Sequence, residues 1–348
     1  LCLLLLAVSR YLDSRSEPAA SVSAPEAAQA DASGLEVHFL DIGQGDSALL
    51  FCGDETLLID GGKVKNNQKL IARLKELEVD HLDAVICSHP DEDHCGGLSA
   101  VLASTRTDAF YCSVDSWHTK VFSDVTKYVA EQGISVTIPQ AGDTFAFSDA
   151  SVEFLGPVVD YGDDPNEGSL VARVRYGETS FLFTGDMGFE AEDDMLAAGV
   201  DVSATVLKVA HHGSAGSSST EFLQAVHPQY AVISVGADND YGHPTEAALN
   251  RLSACGIPVY RTDLLGEIIA VSDGKTVTIT SASNEAPPAS DAASQTAGSY
   301  GYVGNSSSKV VHLASCGKLP GESNRVYFAS LDEALAAGYR KHANCLGN

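Results

Sequence analysis

Between residues 35 and 280, short apolar runs alternate with glycine-rich turns and a few amphipathic stretches. Leu35-Glu36-Val37-His38-Phe39-Leu40, Ser47-Ala48-Leu49-Leu50-Phe51 and Thr56-Leu57-Leu58-Ile59-Asp60 read as strands whose connecting turns suit antiparallel pairing. His38 falls mid-strand, where a packed or edge histidine is expected instead of a ligand. Leu70, Ile71, Leu74 and Leu77 recur at helical spacing across 66–78. The run 82–87 reads as a short buried strand, followed by a helix-like segment at 98–102 and a strand at 109–112. A further helix is expected over 116–132, closed by Gly133. Strand signals resume at 134–138, 144–147 and 152–155. Residues 169–176 pair across Gly177-Glu178 with 179–183, and a last hairpin, 267–272 with 276–280, turns on Asp273-Gly274.

The flanks have a different texture. Residues 1–8 are almost wholly apolar and read as the tail of a signal sequence or membrane anchor, too short to span a bilayer, which takes about 20 apolar residues. An Ala/Ser/Glu-rich tether completes a first segment, 1–34. A large domain at 35–280, a flexible linker at 281–299 and a compact tail at 300–348 follow. The tail is too small to rest on an apolar core alone, so a staple or a metal is expected in it.

Charge narrows the partners. The 348 residues carry 21 Lys and Arg against 47 Asp and Glu, a net charge of −26. A general polyanion binder has the opposite balance. Any contact with nucleic acid must therefore rest on bound metal and local basic groups. The 8 cysteines form no disulfide framework; Cys52, Cys87, Cys95, Cys112 and Cys255 lie mostly in apolar company and read as buried thiols.

The chemistry concentrates at Ser88-His89-Pro90-Asp91-Glu92-Asp93-His94-Cys95-Gly96-Gly97, on a turn at the end of a strand. A turn can aim His89, Asp91, Asp93 and His94 at one place, whereas a strand would alternate them between faces. Imidazole with carboxylate suits zinc, iron or manganese. Taken by itself, the run also fits an acidic loop with two solvated histidines.

The pattern His-x-Asp-x-Asp-His-x-Gly-Gly resembles the signature of the metallo-β-lactamase superfamily, in the variant typical of the extracellular hydrolase domain of ComEC DNA-uptake proteins. Phe39-Leu40-Asp41-Ile42-Gly43-Gln44-Gly45-Asp46-Ser47, Leu58-Ile59-Asp60-Gly61-Gly62, Phe183-Thr184-Gly185-Asp186, Lys208-Val209-Ala210-His211-His212-Gly213-Ser214 and Tyr241-Gly242-His243-Pro244 extend the likeness over roughly residues 35 to 280. The resemblance implies an α/β fold, the αββα sandwich, holding one or two divalent ions. It implies His89, Asp91, Asp93, His94, Asp186 and His211 as ligands. His212 or His243 would complete the shell or serve as general acid, which makes Asp93, Asp186, His212 and His243 the catalytic candidates. Gln44, Asp46, Ser214 and Ser218 are the substrate-binding candidates, with turn chemistry the alternative for Gln44 and Asp46. His81, His118 and His227 lie outside every motif and are expected at the surface.

Two departures from the wider superfamily stand out. Asp91 replaces a histidine, and the segment before Asp186, Asp164-Pro165-Asn166-Glu167-Gly168-Ser169, contains none. Both make the site more oxygen-rich, favouring manganese or a weakly held second ion over two tight zincs. The implied activity is phosphodiester hydrolysis of single- or double-stranded DNA by an extracytoplasmic, secreted or membrane-anchored nuclease. The alternatives are hydrolysis of another anionic ester or an amide, and a non-catalytic DNA-binding surface protein.

The tail supplies His312-x3-Cys316 and His342-x2-Cys345. Two short-spaced pairs of such ligands suit a tetrahedral structural zinc. Tyr302 to His312, Asn324-Arg325-Val326-Tyr327-Phe328 and Ala337-Gly338-Tyr339 resemble the small metal-binding domain of Ada, the DNA methyl-damage repair protein, with His312 and His342 where Ada has cysteines. Lys309, Arg325, Arg340 and Lys341 are then candidates for touching DNA. A metal-free remnant or a Cys316–Cys345 disulfide is the other reading.

Overall fold

The computed structural model describes residues 34–237 and 239–283, and in the tail 302–313, 316, 318–321, 324–328 and 331–346. The apolar run 1–8, the tether that follows it and most of the expected linker lie outside the described residues.

The first sheet opens with an antiparallel meander, β1 (Leu35–Phe39), β2 (Ala48–Cys52) and β3 (Glu55–Ile59). Helix α1 (Asn67–Glu76) carries the chain to β4 (His81–Cys87), parallel to β3. Two short helices, α2 (Glu92–Cys95) and α3 (Leu98–Ser104), lead to β5 (Arg106–Cys112), and α4 (Lys120–Glu131) leads to β6 (Val136–Thr137), again in parallel. The second sheet begins with antiparallel β7 (Thr144–Phe147), β8 (Ala150–Gly156), β9 (Val171–Tyr176) and β10 (Thr179–Phe183). Helix α5 (Phe189–Ala197), β11 (Val206–Lys208), α6 (Thr220–Val226), β12 (Tyr230–Ile233), α7 (Glu246–Ala254) and β13 (Val259–Arg261) then add parallel strands. After α8 (Thr262–Leu265), strand β14 (Ile268–Ser272) returns to the first sheet beside β1 and pairs with β15 (Val277–Ser281). The spatial orders are β15-β14-β1-β2-β3-β4-β5-β6 and β13-β12-β11-β10-β9-β8-β7.

The strands read as continuous apolar runs because both of their faces are covered. Ala48, Leu50 and Cys52 of β2 point between the sheets and share a core with Phe181 and Phe183 of β10. Leu49 points the other way, into a core with Leu70, Leu74, Leu98 and Phe122. Leu182 packs outward with Phe222, Leu223 and Leu252. Helix, sheet, sheet and helix are thus four layers glued by three apolar seams, each fully buried Leu or Phe contributing about 1.5–3 kcal/mol. The helix expected from residue 116 starts at Lys120, because the Thr119 side chain accepts the Phe122 amide and caps it there. Among the described residues no helix is long and apolar enough to cross a membrane. Cys52, Cys87, Cys95 and Cys112 are buried free thiols.

His38 is packed, as its place in β1 predicts, and is also charged. Its Nδ1 lies 2.6 Å from Glu267 Oε1 and its Nε2 2.6 Å from Glu36 Oε1, so both ring nitrogens donate. Arg73 Nε donates to Glu267 Oε2 at 2.7 Å and ties α1 into the cluster. Burial opposes the imidazolium, but the two carboxylates outweigh it and raise the pKa above its ordinary value. The cluster's stabilisation is therefore complete below the unfolded histidine's pKa, about 6.5, and is lost as pH rises through the raised native value. His38→Gln should flatten the alkaline side of the thermal stability profile above about pH 7. Parallel profiles for the two proteins would show that the ring is not charged.

The tail forms its own sheet from β16 (Tyr302–Asn305), β17 (Val310–Leu313), β18 (Arg325–Phe328) and β19 (Arg340–Lys341), in the order β18-β16-β17-β19. With α9 (Leu331–Ala336) and α10 (Ala343–Leu346), it buries a small cluster of Val311, Val326, Phe328, Ala334 and Tyr339.

Candidate metal centre

The centre lies beyond the C-terminal ends of parallel strands in both sheets. From the first sheet, Asp60 follows β3, Ser88 and His89 follow β4, and α2 presents Asp93 and His94. From the second, Asp186 follows β10, His211 and His212 follow β11, and Ser234 follows β12. Such strand ends are where open α/β sheets place their ligands. The turns fit together almost without clearance. A Cβ on Gly97 would stand 2.1 Å from Gly61 O, and one on Gly45 2.4 Å from Asp93 O.

Hydrogen bonds behind the imidazoles fix their tautomers. His94 Nδ1 lies 2.9 Å from Asp60 Oδ2, so its Nε2 is the nitrogen turned to the centre. Asp60 also accepts Ser88 N at 2.7 Å and Ser88 Oγ at 2.8 Å. With its proton committed there, Ser88 Oγ accepts from His89 Nδ1 at 3.0 Å. His212 Nδ1 donates to Ser234 O at 2.9 Å. The histidine-free segment before Asp186 delivers Ser169, whose Oγ accepts Asp186 N at 3.1 Å and lies 3.3 Å from His89 Nδ1.

The other faces of these groups converge. Asp186 Oδ1 lies 3.0 Å from His94 Nε2, and its Oδ2 lies 3.6 Å from both His211 Nε2 and His212 Nε2. His212 Nε2 is 3.7 Å from Asp93 Oδ2, and His89 Nε2 is 4.0 Å from Asp91 Oδ2. The His243 ring is 5.4 Å from that of His211 and 6.4 Å from that of His212. Yet His89 Nε2, His212 Nε2 and His243 Nδ1 are buried without a hydrogen-bond partner, and His94 Nε2 and Asp186 Oδ1 have no partner beyond their own 3.0 Å approach. Each such orphan costs about 1–3 kcal/mol. The sets His89, His94, Asp186 and Asp93, His94, His212 each bring their ligand atoms within 4.8 Å of one another. Imidazole lone pairs and carboxylates aimed at a common point fit a divalent cation.

Without a cation, the buried carboxylates hold protons on two of these rings, His94 and His212. Burial works against the charged form of His212, but Asp186 and Asp46 outweigh it and push the ring up to about 10. His89, buried and beside His94, is pushed down to about 3. His243 falls to about 4 through burial and the neighbouring His211 and His212. For Asp46, burial is overcome by Lys208 and His212, which hold the carboxyl at about 2. Lys208 Nζ sits 2.6 Å from Asp46 Oδ2, both groups buried.

The structure brings His89, Asp91, Asp93, His94, Asp186, His211, His212 and His243 together. They are not equivalent. The Asp91 side chain is 41% exposed and that of His211 31%, whereas that of His212 is 1% exposed. Asp46 lies behind the centre, where it braces Lys208 and His212 Nδ1 (3.1 Å), a position unlike that expected of a substrate contact. Gln44 accepts Gly236 N at 3.2 Å. Ser218 is held in a buried loop by the Glu192 carboxylate on its amide and by Arg251 on its carbonyl, and Ser214 Oγ accepts Gly216 N within the same loop. Cys95 Sγ turns away to donate to Pro90 O. Sequence reasoning missed the supporting roles of Asp60, Ser88, Ser169 and Lys208. The available signal was a charged or hydroxyl side chain inside or just beyond an apolar strand, as in Val206-Leu207-Lys208-Val209, since such a residue needs a buried partner.

Asp60→Ala should strand His94 Nδ1 and Ser88 N together. Expected results are a fall of about 10–100-fold in divalent-metal affinity, read by competition with a chelating dye, and a loss of about 1–3 kcal/mol in urea unfolding. Unchanged affinity would show that Asp60 does not orient His94.

The model of the metallo-beta-lactamase superfamily matches residues 40–237, more than half of the chain and most of this centre. The chain belongs to the metallo-β-lactamase superfamily. The chain is 31% identical over 251 residues to ComE operon protein 3 of Bacillus subtilis, covering 67% of the chain and 32% of that protein. It is 36% identical over 230 residues to competence protein ComA of Neisseria gonorrhoeae (66% and 31%) and 30% identical over 241 residues to recombination protein 2 of Haemophilus influenzae (67% and 28%). The chain spans about a third of the length of these curated relatives.

A second cluster lies in the tail. His312, Cys316, His342 and Cys345 offer ligand atoms within 4.8 Å of one another. Cys345 Sγ is 3.2 Å from His342 Nδ1 and accepts Leu313 N at 3.4 Å, and Cys316 Sγ is 3.7 Å from His342 Nδ1. Both cysteines are free thiols, not the disulfide that was the alternative. Two sulfurs and two imidazoles at these separations fit zinc.

Proposed function

We propose that the chain is a metal-dependent phosphodiesterase acting on DNA at the outer side of the cell envelope, in DNA uptake or scavenging. The observation that carries this is the convergence of the buried His89, His94 and His212 Nε2 atoms on Asp186. The competence-named relatives support DNA as the substrate. His89, Asp93, His94, Asp186 and His212 would hold one or two divalent ions, with Asp91, His211 and His243 at the open rim. The oxygen-rich set favours manganese, with zinc the alternative. Such an ion supplies Lewis acidity toward a phosphoryl oxygen and acidifies a water. Asp60, Ser88, Ser169 and Ser234 hold the ligating rings and carboxylate in place, and His243 lies at the rim beside His211. In the tail, His312, Cys316, His342 and Cys345 hold a structural zinc and keep the Ada-like sheet folded.

The test is incubation of the full chain and of Asp186→Asn with single- and double-stranded DNA in manganese, zinc or chelator. Cleavage that needs metal and is lost in the variant supports the reading. DNA binding without cleavage would favour a scaffold role, and hydrolysis of other esters but not DNA would move the substrate class.

A further inference from the structure

Beside the centre the surface opens into a cleft of about 250 Å³, lined among others by Gln44, Lys63, Lys65, Asp240 and Tyr241. Lys63 Nζ lies 3.9 Å from Asp93 Oδ2, so the cleft adjoins the metal centre. The same ammonium donates to the Tyr241 hydroxyl at 3.1 Å and stands 4.8 Å from its ring centroid. Tyr241 also lies against His243, with centroids 5.8 Å apart and planes 25° apart. It is nevertheless 58% exposed, the most exposed large apolar side chain among the described residues. Lys65 is exposed and, among the described residues, has no ion-pair partner, whereas nearby Lys69 is tied to Asp41. Gln44 is more than nine-tenths buried, and its Nε2 donor is unpartnered.

In a chain of net charge −26, two lysines, an orphan amide donor and an open aromatic ring beside a metal centre need a common explanation. Cations and a buried N–H suit a phosphate, and an exposed ring suits a base, since every base has a π-face. The volume falls below the ~300 Å³ at which small-molecule pockets begin, room for one nucleotide and too little for a duplex. We propose that this cleft is a subsite for one unpaired nucleotide next to the scissile phosphate. Lys65 and Gln44 Nε2 hold its phosphate, and Tyr241 stacks its base. The proposal rests on the phosphodiesterase reading for which phosphate is cut, but not for its binding test.

Binding of a labelled phosphorothioate oligothymidylate to the full chain in manganese, read by fluorescence anisotropy, tests it. Tyr241→Ala should weaken binding about tenfold, whereas Tyr241→Phe, which keeps the ring, should not. Lys65→Ala should weaken binding and reduce the slope of log affinity against log salt by about 0.7. Both Lys65→Ala and Tyr241→Ala should raise KM for an oligonucleotide by a larger factor than KM for bis-p-nitrophenyl phosphate, which carries no neighbouring nucleotide for the cleft to hold. Wild-type protein that fails to bind the oligonucleotide, variants that bind like wild type, or a blunt duplex bound equally through the same residues would overturn the subsite. Binding through Lys65 and Tyr241 without hydrolysis of either substrate would keep the subsite and remove the phosphodiesterase. Hydrolysis insensitive to both variants would do the reverse.

Discussion

Asp186→Asn should lower metal-dependent cleavage by about 10³-fold, the scale of losing one preorganised electrostatic group from an active site. The two Asp186 oxygens face different partners, Oδ1 toward His94 and Oδ2 toward His211 and His212, so one side chain serves both flanks of the centre. Asparagine keeps the volume and leaves the backbone bond to Ser169 Oγ intact. It replaces one anionic oxygen by an amide donor pointed at imidazole lone pairs. The fold should therefore survive, with a urea midpoint close to that of wild type, while metal affinity and rate fall together. A variant retaining more than about a tenth of the rate would show that Asp186 is not part of the machinery.

Withholding metal from the tail site proposed at His312, Cys316, His342 and Cys345 should have the larger effect on structure. Among the described residues the tail's apolar cluster is Val311, Val326, Phe328, Ala334 and Tyr339, a core too slight to order a unit of this size without a staple. A structural zinc on thiolates and imidazoles contributes about 10–16 kcal/mol near neutral pH. Chelation should thus release the amide-exchange protection of the tail far more than that of the sandwich at 35–280. Cys345→Ser should do the same at lower chelator concentration, because Cys345 Sγ contacts both His342 Nδ1 and the Leu313 amide. Tail peptides that stay protected without metal, or a chain that binds no zinc there, would remove the assignment.

The layered fold was legible because strand after strand carries apolar residues on both faces, as Leu49 and Leu50 show. The loop at 89–94 was legible because its ligand types crowd a strand end. Other parts of the centre were not. Asp60 lies 34 positions from the His94 it orients, and Ser169 lies 80 from His89, separations no local pattern encodes. His211 and His212 illustrate a subtler limit. Both adopt left-handed backbone, with φ of 51° and 53°, and this twist sends the second ring inward and the first toward the rim. An unbroken strand would have alternated them, and nothing in the dipeptide says which one turns in. Asp46 sits in a turn motif that suggests a solvent-facing contact, but Lys208, from the other sheet, draws it inside.

The candidate ligands come from both β-layers, His89, Asp93 and His94 from one and Asp186 and His212 from the other. A captured cation would act as a rivet between two slabs otherwise joined by apolar contact, chain crossings and a few buried polar links such as Asp46–Lys208. At a concentration a hundredfold above its dissociation constant, it would add about 2.7 kcal/mol of adhesion between them. Scarcity of the ion would then loosen the seam as well as silence the chemistry.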